Sequence, residues 1–146
     1  MSTRRTFLLL TGAAAVAGAG AGYVALRGGP AGPTLDAAEA YRRAEAGEVL
    51  LVDIRTPEEW ARTGSPAPAH RLDMRRQDFL AALSDLTGGD PARPIALICA
   101  TGGRSARLAR ALEQAGFSKV FDVAEGMLGS SAGPGWIARG LPRVPG

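Results

Sequence analysis

The stretch Ile95-Ala96-Leu97-Ile98-Cys99-Ala100-Thr101-Gly102-Gly103-Arg104-Ser105 constrains the fold more than any other. Behind Pro94, the apolar run Ile95 to Ile98 has the length of a strand covered on both faces. From Arg104 to Ala115, apolar Leu108, Ala111, Leu112 and Ala115 recur at helical spacing, and Gly116 follows where a left-handed residue closes a helix. A strand that passes through a glycine-bearing loop into a helix is a building unit of a parallel sheet.

The loop between them carries chemistry. Successive backbone N–H groups leaving a strand for a helix can converge on one centre, and the helix N-terminus adds partial positive charge. A cysteine at the rim of such a nest is favoured as thiolate, the form that attacks and accepts sulfur. Arg104 adds a permanent charge with forked donors for an anion, while Gly102 and Gly103 permit the backbone turns. The competing reading is that Cys99, the only cysteine, is a small buried hydrophobe.

The rest of the domain alternates in the same way. Asp36 to Ala46 is amphipathic, with Thr34 or Asp36 to cap it and Gly47 to end it. Val49 to Arg55 is a continuous apolar run of strand length, and Thr56-Pro57-Glu58-Glu59-Trp60 opens a helix with Thr56 at the cap and Glu59 completing a capping box. Ala69 to Asp73 is a short strand. Gln77 to Leu86 is a helix with Phe79, Leu80, Leu83 and Leu86 on one face, ending at Gly88-Gly89. Lys119 to Val123 is a further strand. Alternation through residues 35–142 predicts an α/β fold: a central, mostly parallel sheet with helices on both faces.

Three motifs, in order, resemble those of the rhodanese (sulfurtransferase) family. Cys99-Ala100-Thr101-Gly102-Gly103-Arg104, followed by Ser105, is similar to its Cys-x-x-Gly-x-Arg active-site loop. Leu51-Val52-Asp53-Ile54-Arg55 through Glu59-Trp60 is similar to its Val-Asp-x-Arg-x-x-x-Glu-aromatic signature, and Glu125-Gly126-Met127 with Gly140-Leu141-Pro142 resembles its C-terminal segment. The resemblance implies the rhodanese-like fold, with Cys99 catalytic and Ala100, Thr101, Gly102, Gly103, Arg104 and Ser105 as the substrate-binding loop. Asp53 and Arg55 are expected behind that loop, chiefly in a buried salt bridge with Glu58 or Glu59. Two departures stand out. The family's Gly-His-Ile-Pro-Gly-Ala is replaced by Thr63 to His70, and residues 130–135 separate Met127 from Trp136, both expected in the core.

The resemblance implies transfer of a sulfane sulfur from a donor such as thiosulfate or polysulfide to a thiol or persulfide acceptor, through a Cys99 persulfide and without a cofactor. Cysteine phosphatases and arsenate reductases also place a thiolate in a loop ending in Arg, but their loop is one residue longer than the four residues between Cys99 and Arg104. A non-catalytic sulfur-binding or partner-binding module is the third reading. One His and one Cys make no metal site, and His70 is expected in a structural or surface role.

The first residues read as an address. Arg4-Arg5 precede an uncharged run from Phe7 to Leu26, and Thr3 to Leu8 resembles the twin-arginine export motif. Residues 1–26 are therefore expected to be an export signal or, at about 30 Å as a helix, an uncleaved membrane anchor. Residues 27–34 are expected to be a flexible linker, and 35–146 a rhodanese-like domain in the periplasm or another extracytoplasmic space. Arg4 and Arg5 supply two of the 17 basic residues; the remaining 15 face 14 acidic ones. Near-neutrality without a basic, aromatic-interleaved stripe argues against nucleic acid.

Overall fold

In the computed structural model, residues 32–146 are described. The expected export or anchor segment, and the linker as far as residue 31, lie outside them. The elements run β1 (Thr34–Leu35), α1 (Ala37–Glu45), β2 (Leu50–Asp53), α2 (Pro57–Thr63), β3 (Ser65–Pro66), β4 (His70–Arg71), α3 (Phe79–Leu86), β5 (Ile95–Ile98), α4 (Gly103–Gln114), β6 (Val120–Val123) and β7 (Arg143–Val144). Five strands form one sheet in the order β1-β6-β5-β2-β4, and every pair in it is parallel.

β5 lies at the centre of that sheet, between β2 and β6. Its continuous apolar run is the consequence of being covered twice. Ile95 and Leu97 face a core shared with Phe79 and Leu83 of α3 and Ala109 and Leu112 of α4. Ala96 and Ile98 face the opposite core, with Ala37 and Ala40 of α1, Met127 and Trp136. The period-two alternation of strand side chains thus divides one run between two cores. Met127 and Trp136 are buried, as the sequence predicts.

Local chemistry sets most boundaries. Asp36 caps α1, its side chain accepting from the Glu39 amide at 2.7 Å. Thr56 and Glu59 close the expected capping box on α2, with Pro57 in its first turn. α3 begins at Phe79 rather than Gln77. Its flanking Asp78 makes no side-chain cap and instead accepts from Arg76 on both carboxylate oxygens, at 2.8 and 2.7 Å. Leu80 departs from its expected face and is 52 % exposed, while Phe79 and Leu83 carry the burial. Thr34, expected in the linker, pairs with Asp122 in β1, and the Pro33 carbonyl accepts from the Asp122 amide at 3.0 Å. The ordered edge therefore starts inside the span read as flexible. β7 returns antiparallel to β3, a pairing of two very short strands that carries no alternation signal in the sequence.

The insertion at residues 130–135 is a small hairpin, bridged between Ser130 and Gly133. Glu125 anchors its return. This buried carboxylate accepts from the Gly135 and Ala37 amides, each at 2.6 Å, and from Arg139 at 3.0 Å. Trp136 therefore comes back to the core despite the added residues. Its amide donates to Gly126 O at 2.9 Å, and that of Ile137 to Met127 O at 3.1 Å.

Candidate active site

β5 ends at Ile98, and the next residue, Cys99, is 1 % exposed. The sulfur lies at the floor of the loop rather than at its rim, where the sequence alone places it. The Gly102 amide donates to Cys99 Sγ at 3.1 Å, so the side chain closes a local turn with the amide three residues on. That turn needs Gly102 in the left-handed region, with φ at 88°. A β-carbon there would also collide with the Ala124 carbonyl oxygen.

A second segment straps the loop from behind. The Met127 amide donates to Cys99 O at 2.9 Å, and that of Leu128 to Ala100 O at 2.8 Å. In a trans peptide the N–H points opposite the C=O. Holding those two carbonyls therefore turns the Ala100 and Thr101 N–H groups the other way. Gly126, with φ at 66°, is what lets the strap approach, since a β-carbon on it would meet the Ala100 carbonyl. Among the described residues, the amides of Ala100, Thr101, Gly103, Arg104 and Ser105 have no acceptor. The loop and the first turn of α4 thus keep unspent donors in the residues that follow a sulfur already touched by one.

Ser105 stands on the buried stripe of α4 with Ala109 and Leu112. Its Oγ lies 3.3 Å from Cys99 Sγ, 2.6 Å from Asp122 Oδ1 and 3.2 Å from Gly102 O. Asp122 escapes a sequence reading based on motifs. It interrupts the apolar strand Val120-Phe121-Asp122-Val123 on the face shared with Val120, and that interruption is the signal available. Burial pushes its carboxyl above the ordinary range, against the hydrogen bond from Ser105 and the charge of Arg110.

Arg104 is engaged differently from the expectation of a free anion clamp. Both terminal nitrogens meet Glu59, Nη1 to Oε2 at 2.9 Å and Nη2 to Oε1 at 2.6 Å, a forked pair across the sequence from α2. Glu59 also accepts from the Thr56 amide, so one carboxylate caps α2 and orients the arginine of the loop. Asp53 and Arg55 also take a different partner from the expected Glu58 or Glu59. They pair with each other, Nε to Oδ1 at 2.9 Å and Nη2 to Oδ2 at 2.7 Å, and Arg55 also donates to Thr63 Oγ1 and Gly64 O. Neither Glu58 nor Glu59 enters that bond network, because Glu59 is spent on Arg104. His70 is exposed on β4. Among the described residues no cluster of His, Cys, Asp or Glu is suited to a metal ion, and no helix is long and apolar enough to cross a membrane.

The hydrogen bonds from Arg104 hold the Glu59 carboxyl down at about 2, against a smaller upward push from burial. A value lowered on folding means the unfolded chain binds the extra proton, so stability rises with pH across this window. The contribution is complete above the ordinary value of 4.5 and is lost as pH falls toward about 2. Glu59→Gln is expected to flatten the acid limb of stability in that window, measured by urea unfolding at a series of pH values. An acid limb identical to the parent's would contradict the pairing.

Comparison with known proteins places this loop in context. A family model described as "Rhodanese-like domain" matches residues 36–132. A protein named "Sulfurtransferase" from Allochromatium vinosum is 30 % identical over 107 residues, covering 70 % of this chain and 85 % of the relative. The solution structure of a polysulfide-sulfur transferase homodimer from Wolinella succinogenes superposes with a TM-score of 0.57 at 27 % identity, covering 78 % of this chain and 79 % of that one. A rhodanese-like domain protein from Staphylococcus aureus gives 0.53 at 26 % identity, over 67 % and 90 %. With the parallel sheet, the cysteine after its central strand and a family match over most of the domain, this chain belongs to the rhodanese-like domain family.

Proposed function

We propose that the protein is a sulfurtransferase in which Cys99 carries the sulfur. The observation that supports it most is the loop itself: a buried thiol followed by amides without acceptors, with the Gly102 N–H already on the sulfur. Cys99 thiolate attacks the sulfane sulfur of a donor such as thiosulfate, the donor's S–S bond breaks, and sulfite leaves with the electron pair. A persulfide remains on Cys99. A thiophilic acceptor then attacks its outer sulfur and releases the thiolate, a two-step, ping-pong cycle.

The roles follow from position. The amides of Ala100, Thr101, Gly102, Gly103, Arg104 and Ser105 stabilise the charge that develops on the transferred sulfur. The Arg104 guanidinium, neutralised by Glu59, serves as a fixed wall of the loop more than as a free clamp. Asp53 and Arg55 hold the strand end and the Thr63–Gly64 turn behind it. The short loop fits a sulfur atom better than a tetrahedral oxyanion, which favours sulfur transfer over phosphate chemistry. Thiosulfate, polysulfide and a persulfidated protein all match a donor of this kind; the names of the two sulfurtransferase relatives support the class.

Residues 1–26 are proposed to direct the domain out of the cytoplasm, by a cleaved signal or an anchor, on the strength of Arg4-Arg5 and the uncharged run behind them. Replacing both arginines by lysine is expected to leave the protein in the cytoplasmic fraction of the producing cell. Export unimpaired by that change would overturn the assignment.

Thiocyanate release from thiosulfate and cyanide tests the chemistry directly. The full chain is expected to turn over, and Cys99→Ser to fall at least about a hundredfold, the scale of losing a nucleophile. An aryl phosphate run in parallel is expected to give no phosphate. Phosphate without thiocyanate would overturn the reading, and silence in both assays would favour a binding module.

A further inference from the structure

The Ser105 hydroxyl has one proton and three neighbours able to compete for it. Asp122 Oδ1 is 2.6 Å away, Gly102 O 3.2 Å and Cys99 Sγ 3.3 Å, all in a buried setting between α4, β5 and β6. A hydroxyl donates once and accepts from others, so its two strong partners cannot both be served in the same sense. With Asp122 ionised, Ser105 donates to the carboxylate and accepts from the Cys99 thiol. With Asp122 protonated, the carboxyl donates to Ser105, which donates to the Cys99 thiolate. The two arrangements differ by one proton moved from sulfur to carboxylate through the hydroxyl.

We propose that Asp122 is a positioning and proton-holding residue of the sulfur-transfer cycle, acting on Cys99 through Ser105. This rests on the sulfurtransferase reading above. When Cys99 attacks, the thiol proton passes to Ser105 Oγ while the hydroxyl proton passes to Asp122 Oδ1. The donor's S–S bond breaks, a new S–S bond forms on Cys99, sulfite takes the electron pair, and the outer persulfide sulfur carries the negative charge. Removal of that sulfur by the acceptor returns the electron pair to Cys99 Sγ, and the proton comes back along the same path. Apart from the charge that donor and sulfite bring and remove, the protein's own groups therefore carry one negative charge at each stage, on the Asp122 carboxylate or on the Cys99 sulfur or persulfide, and never on both. That matters in a place where a second buried charge has little solvent to screen it.

The surroundings suit a carboxyl that changes its state. Desolvation already pushes Asp122 upward, and the opposing influences are the Ser105 hydrogen bond and Arg110 on the same helix. From β5 the facing ionisable group is Cys99, whose charge in turn acts on Arg104. Asp122 is bracketed in the sheet by Thr34 of β1 and Leu97 of β5, neither of which titrates. It also sits on the face of β6 that otherwise builds the apolar core with Val120, where a merely structural position is better filled by a hydrophobe.

Two measurements on the full chain test this. The pH profile of Cys99 alkylation by iodoacetamide is expected to differ in shape between the parent and Asp122→Asn, because the carboxyl reaches the sulfur through the Ser105 hydroxyl. A profile unchanged by the substitution would overturn the proposal. Difference infrared spectroscopy on adding thiosulfate needs no variant to read. The parent is expected to gain the C=O stretch of a protonated carboxyl as the persulfide forms, and Asp122→Asn to lack it. Persulfide without that band would overturn the proton-holding role and leave sulfur transfer standing. Absence of persulfide would count against sulfur transfer itself, and the alkylation profile alone would then decide the role of Asp122.

Discussion

Two hydrogen bonds organise the site: Met127 N–H to the Cys99 carbonyl and Leu128 N–H to the Ala100 carbonyl. They turn two peptide planes so that the Cys99 and Ala100 carbonyls face the strap and the Ala100 and Thr101 amides face away from it. Without them, the same residues could place oxygen lone pairs where an anionic sulfur has to sit, and a net hydrogen bond contribution of about 1 kcal/mol each would become a repulsion. Much of the remaining architecture serves to keep that strap in place. Gly126 makes room for it, and Glu125 ties its neighbour to α1 and to the returning hairpin. The insertion between Met127 and Trp136 is accommodated because that buried carboxylate collects the two amides and Arg139 that fix its ends.

Charge is managed in pairs around the loop. Arg104 is forked onto Glu59 and Arg55 onto Asp53, each bond made within normal charge-assisted distances. In the fully buried Asp53–Arg55 pair, a charge left without its partner would cost several kcal/mol, more than the roughly 1.5–3 kcal/mol gained by burying one large apolar side chain. The partly exposed Arg104–Glu59 pair is worth less. The pairs therefore act as fixed struts, and the proton movement proposed above is left to the separate contact of Cys99, Ser105 and Asp122.

The parts of this arrangement that were legible in the sequence are those set by local rules. The apolar runs of β2 and β5, the capping box at Thr56 and Glu59 and the glycine-bearing loop after Cys99 all act over a few residues, and the structure follows them. The layering also follows, because a continuous apolar run has to be covered twice. What was not legible depends on contacts between distant segments. Glu59 reads equally well as a partner for Arg55, and only the approach of α2 to the loop commits it to Arg104, 45 residues away. Leu80 completes an apolar stripe on paper, yet α3 is rotated so that Phe79 and Leu83 take the core. Asp122 reads as a polar residue in a strand until the fold sets it 2.6 Å from Ser105. The depth of Cys99 belongs to the same class, since a loop's concavity depends on the segment packed behind it.

In the proposed cycle, Cys99 holds the transferred sulfur as a persulfide at the floor of this loop. Intact-protein mass spectrometry after incubation with thiosulfate tests it most directly. A mass gain of one sulfur atom is expected, localised to the peptide carrying Cys99, removed by cyanide and absent from Cys99→Ser. Sulfur retained by the Cys99→Ser protein, or a parent that stays unmodified while releasing thiocyanate, would contradict it.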